Sequence, residues 1–213
     1  MEISWLGHSC FYIKGAEKTV ITDPYYPDLG YLPQELQSDI VTISHPHPRH
    51  SYIEGVNGNP KQIKGPGEYD IGGVFITGIA TFHDEEKGKT RGDNTIYVIE
   101  MDNMVLCHLG DLGHPLTPGL VEKIGTIDIL FLPVGERSTI STTTAAEILK
   151  QLNPPIAIPM HYKIPILSGD LEPVDKFLKE MGIKDSTIKA KLNIKESHKS
   201  DMTQIIILDY PHS

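Results

Sequence analysis

The chain is short of cysteine, tryptophan and long apolar runs, and each shortage excludes something. Its 213 residues include two cysteines, Cys10 and Cys107, and one tryptophan. Two thiols in apolar surroundings make no disulfide framework. They read as reduced core residues, which points to a cytoplasmic setting. No apolar run approaches the ~20 residues of a membrane-spanning helix, so no membrane partner is expected. Met1-Glu2-Ile3-Ser4-Trp5 enters a strand-like pattern at once, without the charged and apolar segments of a secretory signal. Basic residues are scarce too: 19 Lys and Arg face 28 Asp and Glu, a net charge of −9. That balance argues against nucleic acid, whose phosphates are bound by basic side chains. It leaves room for a small anionic substrate if a metal offsets the charge locally. The pattern shows no tandem repeat and no linker, so residues 1–213 read as one domain.

What the chain does have is histidine, ten in all, three of them within Ser44-His45-Pro46-His47-Pro48-Arg49-His50. Before them runs Asp39-Ile40-Val41-Thr42-Ile43, apolar and β-branched, which reads as a buried strand. If the backbone stays extended through His47, His45 and His47 share one face, because strand side chains alternate. Two imidazoles on one face can grip one metal ion. His50 follows a turn and points elsewhere, as a ligand for a second ion would.

Other segments repeat the theme of a polar residue at a strand exit. Strands are predicted over 2–6 and 10–14, joined by a turn holding His8, and over 19–22, ending at Asp23-Pro24. Residues 24–38 read as an irregular loop rich in Tyr, Pro and Gly. Residues 61–64 form a further strand, and Gly65-Pro66-Gly67-Glu68-Tyr69 a turn. A strand over 73–80 leads to His83, and strands over 94–100 and 103–108 lead to Asp111. Thr117 caps a helix that opens with Pro118 and runs to about residue 124. A strand over 128–134 and a helix over 142–152 follow. A strand over 155–160 delivers His161-Tyr162, and a helix covers 172–181 with Gly182 just beyond. Residues 187–194 and 204–209 are late strands around a charged turn. Two sheets with helices packed outside follow from this order. His45, His47, His50, His83, His161 and Asp111 then form a donor set suited to zinc or another borderline divalent metal, provided the strand exits gather on one edge.

Strand-HxHxxH, then His83, Gly110-Asp111 and His161 resembles the metallo-β-lactamase superfamily. Trp5-Leu6-Gly7-His8-Ser9, Thr22-Asp23-Pro24, Leu109-Gly110-Asp111 and Ile158-Pro159-Met160-His161-Tyr162 look like the branch that includes ascorbate-6-phosphate lactonase. The similarity spans about residues 1–180. It implies an α/β fold, a four-layer αββα sandwich, with a metal centre at one edge of the paired sheets. The resemblance implies that His45, His47 and His83 bind a first ion and that Asp111 bridges two. His50 and His161 join Asp111 at the second, with His8 nearby as a substrate or proton-transfer group. One position departs: the family motif is HxHxDH, and Arg49 stands where its aspartate binds the second metal. Like unit charges ~4 Å apart repel by about 4 kcal/mol at an effective dielectric of 20, twice that for a divalent ion. The first site is therefore expected to hold Zn²⁺, or Mn²⁺ or another divalent ion, and the second to be weak or empty.

Two functions follow from that reading. One is a metal-dependent hydrolase acting on a small ester, lactone or phosphoester, with Asp111, His8 and Arg49 as its catalytic groups. The other is a catalytically weakened metal- or ligand-binding protein, because of Arg49. A nuclease is a distant third on charge. A homo-oligomer is compatible with the family. His108 reads as a support for the site rather than a ligand. His114 stands equally for a place near the site or on the surface, and His198 and His212 read as solvated. Asp23 either bonds a ligand histidine or caps a turn, Tyr162 either touches substrate or packs, and Glu68 has no assigned role.

Overall fold

The computed structural model describes residues 1–27, 36–165, 170–184, 186, 188–195 and 202–210. Residues 28–35 of the Tyr-, Pro- and Gly-rich loop, most of the charged turn before the last strands, His198 and His212 lie outside the described residues.

The first half supplies β1 (Glu2–Gly7), β2 (Cys10–Lys14), β3 (Thr19–Thr22), β4 (Leu36–Gln37), β5 (Ile40–Ile43), β6 (Val56–Asn57) and β7 (Lys61–Lys64). Next come β8 (Gly67–Ile71), β9 (Val74–Phe82), β10 (Asp93–Met101) and β11 (Met104–His108). Helices then alternate with strands: α1 (Pro118–Ile124), β12 (Ile129–Pro133), α2 (Thr142–Leu152), β13 (Ile156–Met160) and α3 (Val174–Glu180). Short strands close the chain: β14 (Ile188–Lys189), β15 (Leu192–Asn193), β16 (Gln204–Ile205) and β17 (Ile207–Leu208).

Two sheets carry the fold. One is ordered β15-β1-β2-β3-β5-β7, the other β16-β13-β12-β11-β10-β9-β8. The continuous apolar runs of β5, β12 and β13 are buried at every position, as central parallel strands covered on both faces must be. α1 and α2 are the crossovers between parallel β11, β12 and β13, and right-handed crossovers in one direction place both helices on the same face. Thr117 accepts a bond from the Leu120 N–H ahead of Pro118, and Ser141 caps α2 in the same way, as the cap residues require. One hydrophobic cluster runs between the sheets, from Ile3 and Phe11 to Phe131 and Ile158. The chain is thus the α/β arrangement of paired sheets and few helices that the sequence implied.

Pairing directions explain why the site forms at one edge. β1 and β3 are both antiparallel to β2, and β3 and β5 are parallel, so all three end on one side. β9 and β11 are both antiparallel to β10, and β11, β12 and β13 are parallel, so these four also share an end. The two ends are fastened together. The Thr95 N–H donates to the Ser44 carbonyl at 2.9 Å, and the Tyr97 hydroxyl to the Ile43 carbonyl at 2.8 Å. Tyr97 is fully buried across that seam.

Three expectations are corrected. Of the turn read over residues 65–69, Gly67, Glu68 and Tyr69 belong instead to strand β8, because an edge strand half open to solvent tolerates Gly, Glu and Asp. The helix read over 172–181 starts only at Val174, with Pro173 as its cap. The late segments each break in two: β15 joins β1 and β16 joins β13, while β14 and β17 pair with each other in a separate ribbon. Tertiary pairing partners, invisible in a local pattern, divide them.

Candidate metal centre

The β1–β2 turn is built on two left-handed residues, Gly7 at φ +101° and His8 at φ +52°. A side chain at Gly7 would press on the Tyr25 hydroxyl 3.1 Å away, and that hydroxyl already bonds the Leu6 carbonyl. His8 gives its carbonyl to the Trp5 indole at 3.0 Å and to the His161 N–H at 2.9 Å. The turn is thereby tied to the loop after β13. It seats the buried His8 ring with its centroid 4.3 Å from that of His161 and 4.7 Å from that of His50.

The histidine-rich stretch does not stay extended. β5 stops at Ile43, and the His47 N–H folds back on the His45 carbonyl at 2.9 Å. A second turn follows, with the His50 N–H on the His47 carbonyl at 2.8 Å. Pro46 and Pro48 donate no hydrogen bond and break the ladder here. His45 and His47 still face each other, rings 5.9 Å apart and 27° from parallel, but a turn brings them together, not strand alternation. His45 is buried and His47 exposed. His50 does not point elsewhere: its ring lies 4.2 Å from His45. Asp23 sets both. Its Oδ1 accepts the Ser44 N–H at 2.7 Å. Its Oδ2 accepts the Ser44 hydroxyl at 2.6 Å and faces His50 Nδ1 at 2.9 Å. The same Ser44 hydroxyl contacts His45 Nδ1 at 2.9 Å.

Asp111, in the loop after β11, is the centre of the cluster. Its Oδ2 lies 3.2 Å from His50 Nε2, 3.3 Å from His83 Nε2 and 3.2 Å from His161 Nε2. Its Oδ1 accepts the Ser9 hydroxyl at 3.4 Å. Donor atoms of His45, His83 and Asp111 lie within 4.8 Å of one another, as do those of His45, His47 and His50, and those of His8, His50 and His161. All six residues expected as ligands thus meet at one edge, with His8 among them.

Residues 2–161 match the family model described as a beta-lactamase superfamily domain. A superfamily protein from Thermotoga maritima, proposed to be a Zn-dependent hydrolase, has a solved structure that is 39% identical. It superposes with a TM-score of 0.81, covering 98% of this chain and 99% of that one. The chain belongs to the metallo-β-lactamase superfamily. It is also 30% identical to a UPF0173 metal-dependent hydrolase of Thermococcus onnurineus, over 90% of this chain and 96% of that protein. A UPF0173 metal-dependent hydrolase of Archaeoglobus fulgidus is 26% identical, over 86% and 93%.

The donor set fits the divalent metal on which hydrolases of this superfamily depend. One carboxylate oxygen offers two lone pairs, and three imidazole Nε2 atoms crowd Asp111 Oδ2, more than hydrogen bonding alone can use. Ligand atoms each ~2.0–2.1 Å from a tetrahedral ion stand roughly 3.3–3.4 Å apart, close to these separations. His8 Nδ1, His83 Nδ1 and His161 Nδ1 are buried with no hydrogen-bond partner among the described residues. Burial, then the charge of His50, pushes the His45 imidazole down to about 4, so it presents a free lone pair at neutral pH. Burial opposes charge on both Asp111 and His50, but each outweighs it for the other. With His161, His50 holds the Asp111 carboxyl well below the usual range. Asp111 and Asp23 push His50 up to about 10. Metal binding requires that proton to leave.

The superfamily site opens into a cavity of about 620 Å³ whose rim carries Arg49, Arg91 and Arg137. Arg137 is neutralised by Glu172 at 2.9 Å and Asp170 at 3.7 Å, whereas Arg49 and Arg91 make no ion pair among the described residues. Three supports escaped the sequence reading. Asn94 accepts the Asp111 N–H at 2.9 Å and donates to the Leu109 carbonyl and the Thr81 hydroxyl. Ser44 links Asp23 to His45. Asp84 accepts four backbone N–H groups, from Glu86, Gly88, Thr90 and Arg91, and so shapes the loop between His83 and Arg91. An amide at the start of an apolar strand, as in Asn94, was the one legible sign. His108 is a support, bonding the Ser9 carbonyl and the Gly110 N–H. His114 accepts the Phe82 N–H at 3.3 Å beside His83. Tyr162 packs on Trp5, ring centroids 4.8 Å apart, and Glu68 is exposed on β8.

Close approach of backbone also positions His161. A Cβ on Gly135 would stand 1.9 Å from the His161 carbonyl oxygen. Gly135→Ala is therefore expected to cost about 1–3 kcal/mol, the usual range for overpacking. The melting temperature should fall by several degrees, and metal retention should fall with it. An unchanged melting curve would contradict that contact.

Proposed function

We propose that the protein hydrolyses a small anionic ester, lactone or phosphoester, with zinc as the resident ion and manganese as a substitute. The observation that carries this reading is Asp111 Oδ2 ringed by three imidazole nitrogens beneath a cavity lined by Arg49 and Arg91, which make no ion pair among the described residues, the Arg91 guanidinium donating to the Arg137 carbonyl. A divalent ion in such a set lowers the pKa of water towards neutrality and polarises an oxygen of the substrate. His45, His47, His83 and Asp111 would hold it, and His50 and His161 stand beside Asp111. Asp111 acts by position: a carboxyl kept well below its usual range is a weak base. Arg91 would fix the anionic group of the substrate, and Arg49 would steady negative charge as it develops. His8 is buried against His50 and His161, which favours a part in holding metal over contact with substrate. The net charge of −9 favours a small molecule over nucleic acid, two free buried thiols suit the cytoplasm, and the resemblance to the branch that includes a lactonase suggests lactones first.

Turnover of lactones, carboxyl esters and phosphoesters by purified protein loaded with Zn²⁺ or Mn²⁺ tests this. Activity lost on His47→Ala supports it, while inert wild-type protein across the panel refutes it. Arg91→Ala should raise KM for an anionic substrate about tenfold with kcat little changed, the value of one charged hydrogen bond near solvent. An unchanged KM would remove Arg91 from substrate binding.

A second reading has its own observation, the guanidinium of Arg49 lining the cavity beside the cluster with no ion pair among the described residues. It makes the chain a metal or ligand binder with little turnover. Arg49→Asp separates the two: activity that appears only in that variant favours the binder, and activity in the natural chain favours the hydrolase.

A further inference from the structure

We propose that His8 is itself a metal ligand, completing a second ion position with His50, His161 and Asp111. The inference rests on the reading of Asp111 as the centre of a metal site. It departs from the expectation that Arg49 leaves the second position weak or empty. That expectation counted His50, His161 and Asp111 at the second position and gave His8 no place among the ligands.

Geometry singles out His8. Its donor atom lies within 4.8 Å of those of His50 and His161, and all three side chains are buried. The His50 and His161 Nε2 atoms each stand 3.2 Å from Asp111 Oδ2, so the trio borders the same carboxylate that borders His83. No hydrogen bond within the trio explains it. The rings meet edge to face, at 70° for His8–His50 and 67° for His8–His161, and His8 Nδ1 is buried without a partner among the described residues. A buried polar nitrogen left unpaired is unfavourable, and three imidazoles packed together repel as soon as two are protonated. A cation held by one nitrogen of each ring takes the place of those protons.

The backbone is built to keep the ring there. His8 holds a left-handed conformation that side chains seldom adopt, and its carbonyl takes bonds from Trp5 Nε1 and from the His161 backbone. That second bond couples the two backbones directly and holds the two side chains within reach of each other. His8 contributes an uncharged donor where an acid would have neutralised charge. Arg49 on the cavity wall is tolerated because Asp111 and Asp23 supply the negative charge of this corner.

The test is metal stoichiometry and spectrum, read without activity. Metal-free protein is titrated with Zn²⁺ and with Co²⁺, for the wild type, His8→Ala, His8→Gln and His8→Ala/Arg49→Asp. Folding of each is checked by circular dichroism. The inference expects two ions per wild-type chain. In His8→Ala and in the size-preserving His8→Gln it expects one tight ion, the second weakened at least tenfold, with a changed Co²⁺ absorption band. It expects Arg49→Asp to restore the second ion in the His8→Ala background. Two equally tight ions in a folded His8 variant, or a single ion in the wild type and the variant alike, overturn the role of His8 and leave the metal site standing. A wild-type chain that takes up no ion overturns the metal reading itself.

Discussion

Asp111→Asn is expected to strip the protein of its tight metal and to lower kcat/KM by at least ~10³-fold, the several kcal/mol a metal contributes to the transition state. The reason lies in a single atom. Asp111 Oδ2 is the point on which His50, His83 and His161 converge, so it borders members of all three donor groupings. Asparagine keeps the size and one acceptor, so the Ser9 hydroxyl and the Asn94 contact to the backbone can persist. What it removes is the negative charge that neutralises a cation. The fold should survive, because His50 can give up the proton that Asp111 helps it hold. Metal analysis, circular dichroism and kinetics on the same preparation check this. A folded variant with full metal content would show that Asp111 is not the bridge.

Asp23→Asn is expected to weaken metal binding 10- to 100-fold, although Asp23 belongs to none of the donor groups. Its carboxylate accepts from Ser44 and faces His50 Nδ1. As an acceptor there it keeps one His50 proton on Nδ1, so that the proton a metal displaces is the one on Nε2, 3.2 Å from Asp111. An amide N–H in that place drives the proton to Nε2 and blocks the lone pair. The Ser44 hydroxyl would carry part of the disturbance to His45. Chelator competition gives the affinity, and nitrogen shifts of the imidazole report the tautomer. Unchanged affinity with an unchanged His50 tautomer would reduce Asp23 to a turn residue.

Much of this was legible in the chain because it is local. Thr117-Pro118 starts α1 where capping chemistry says it must, and the β-branched run ahead of Ser44 is β5. Candidate ligands could be named because His83, Asp111 and His161 each follow an apolar strand. Local pattern failed where a partner elsewhere decides conformation. Gly67, Glu68 and Tyr69 look like part of a turn but pair with β9, and the segment around 187–194 is cut in two by pairing with two different strands. His45 and His47 looked like neighbours on an extended strand and are neighbours across a turn. Ser44 carries no mark of its role and Asn94 only an amide at the head of an apolar strand, since a hydrogen-bond acceptor is defined by what stands opposite it.

By itself, then, the order of residues determined which side chains could bind a metal and that each sits at the end of a strand, because side-chain chemistry and strand propensity are properties of short segments. Which of those ends meet was decided only by tertiary structure. Strand direction within two sheets, and the bonds from Thr95 and Tyr97 that fasten one sheet edge to the other, bring residues as far apart as His8 and His161 into ring contact. Distance in space between segments far apart in the chain depends on pairing, and no local pattern encodes it.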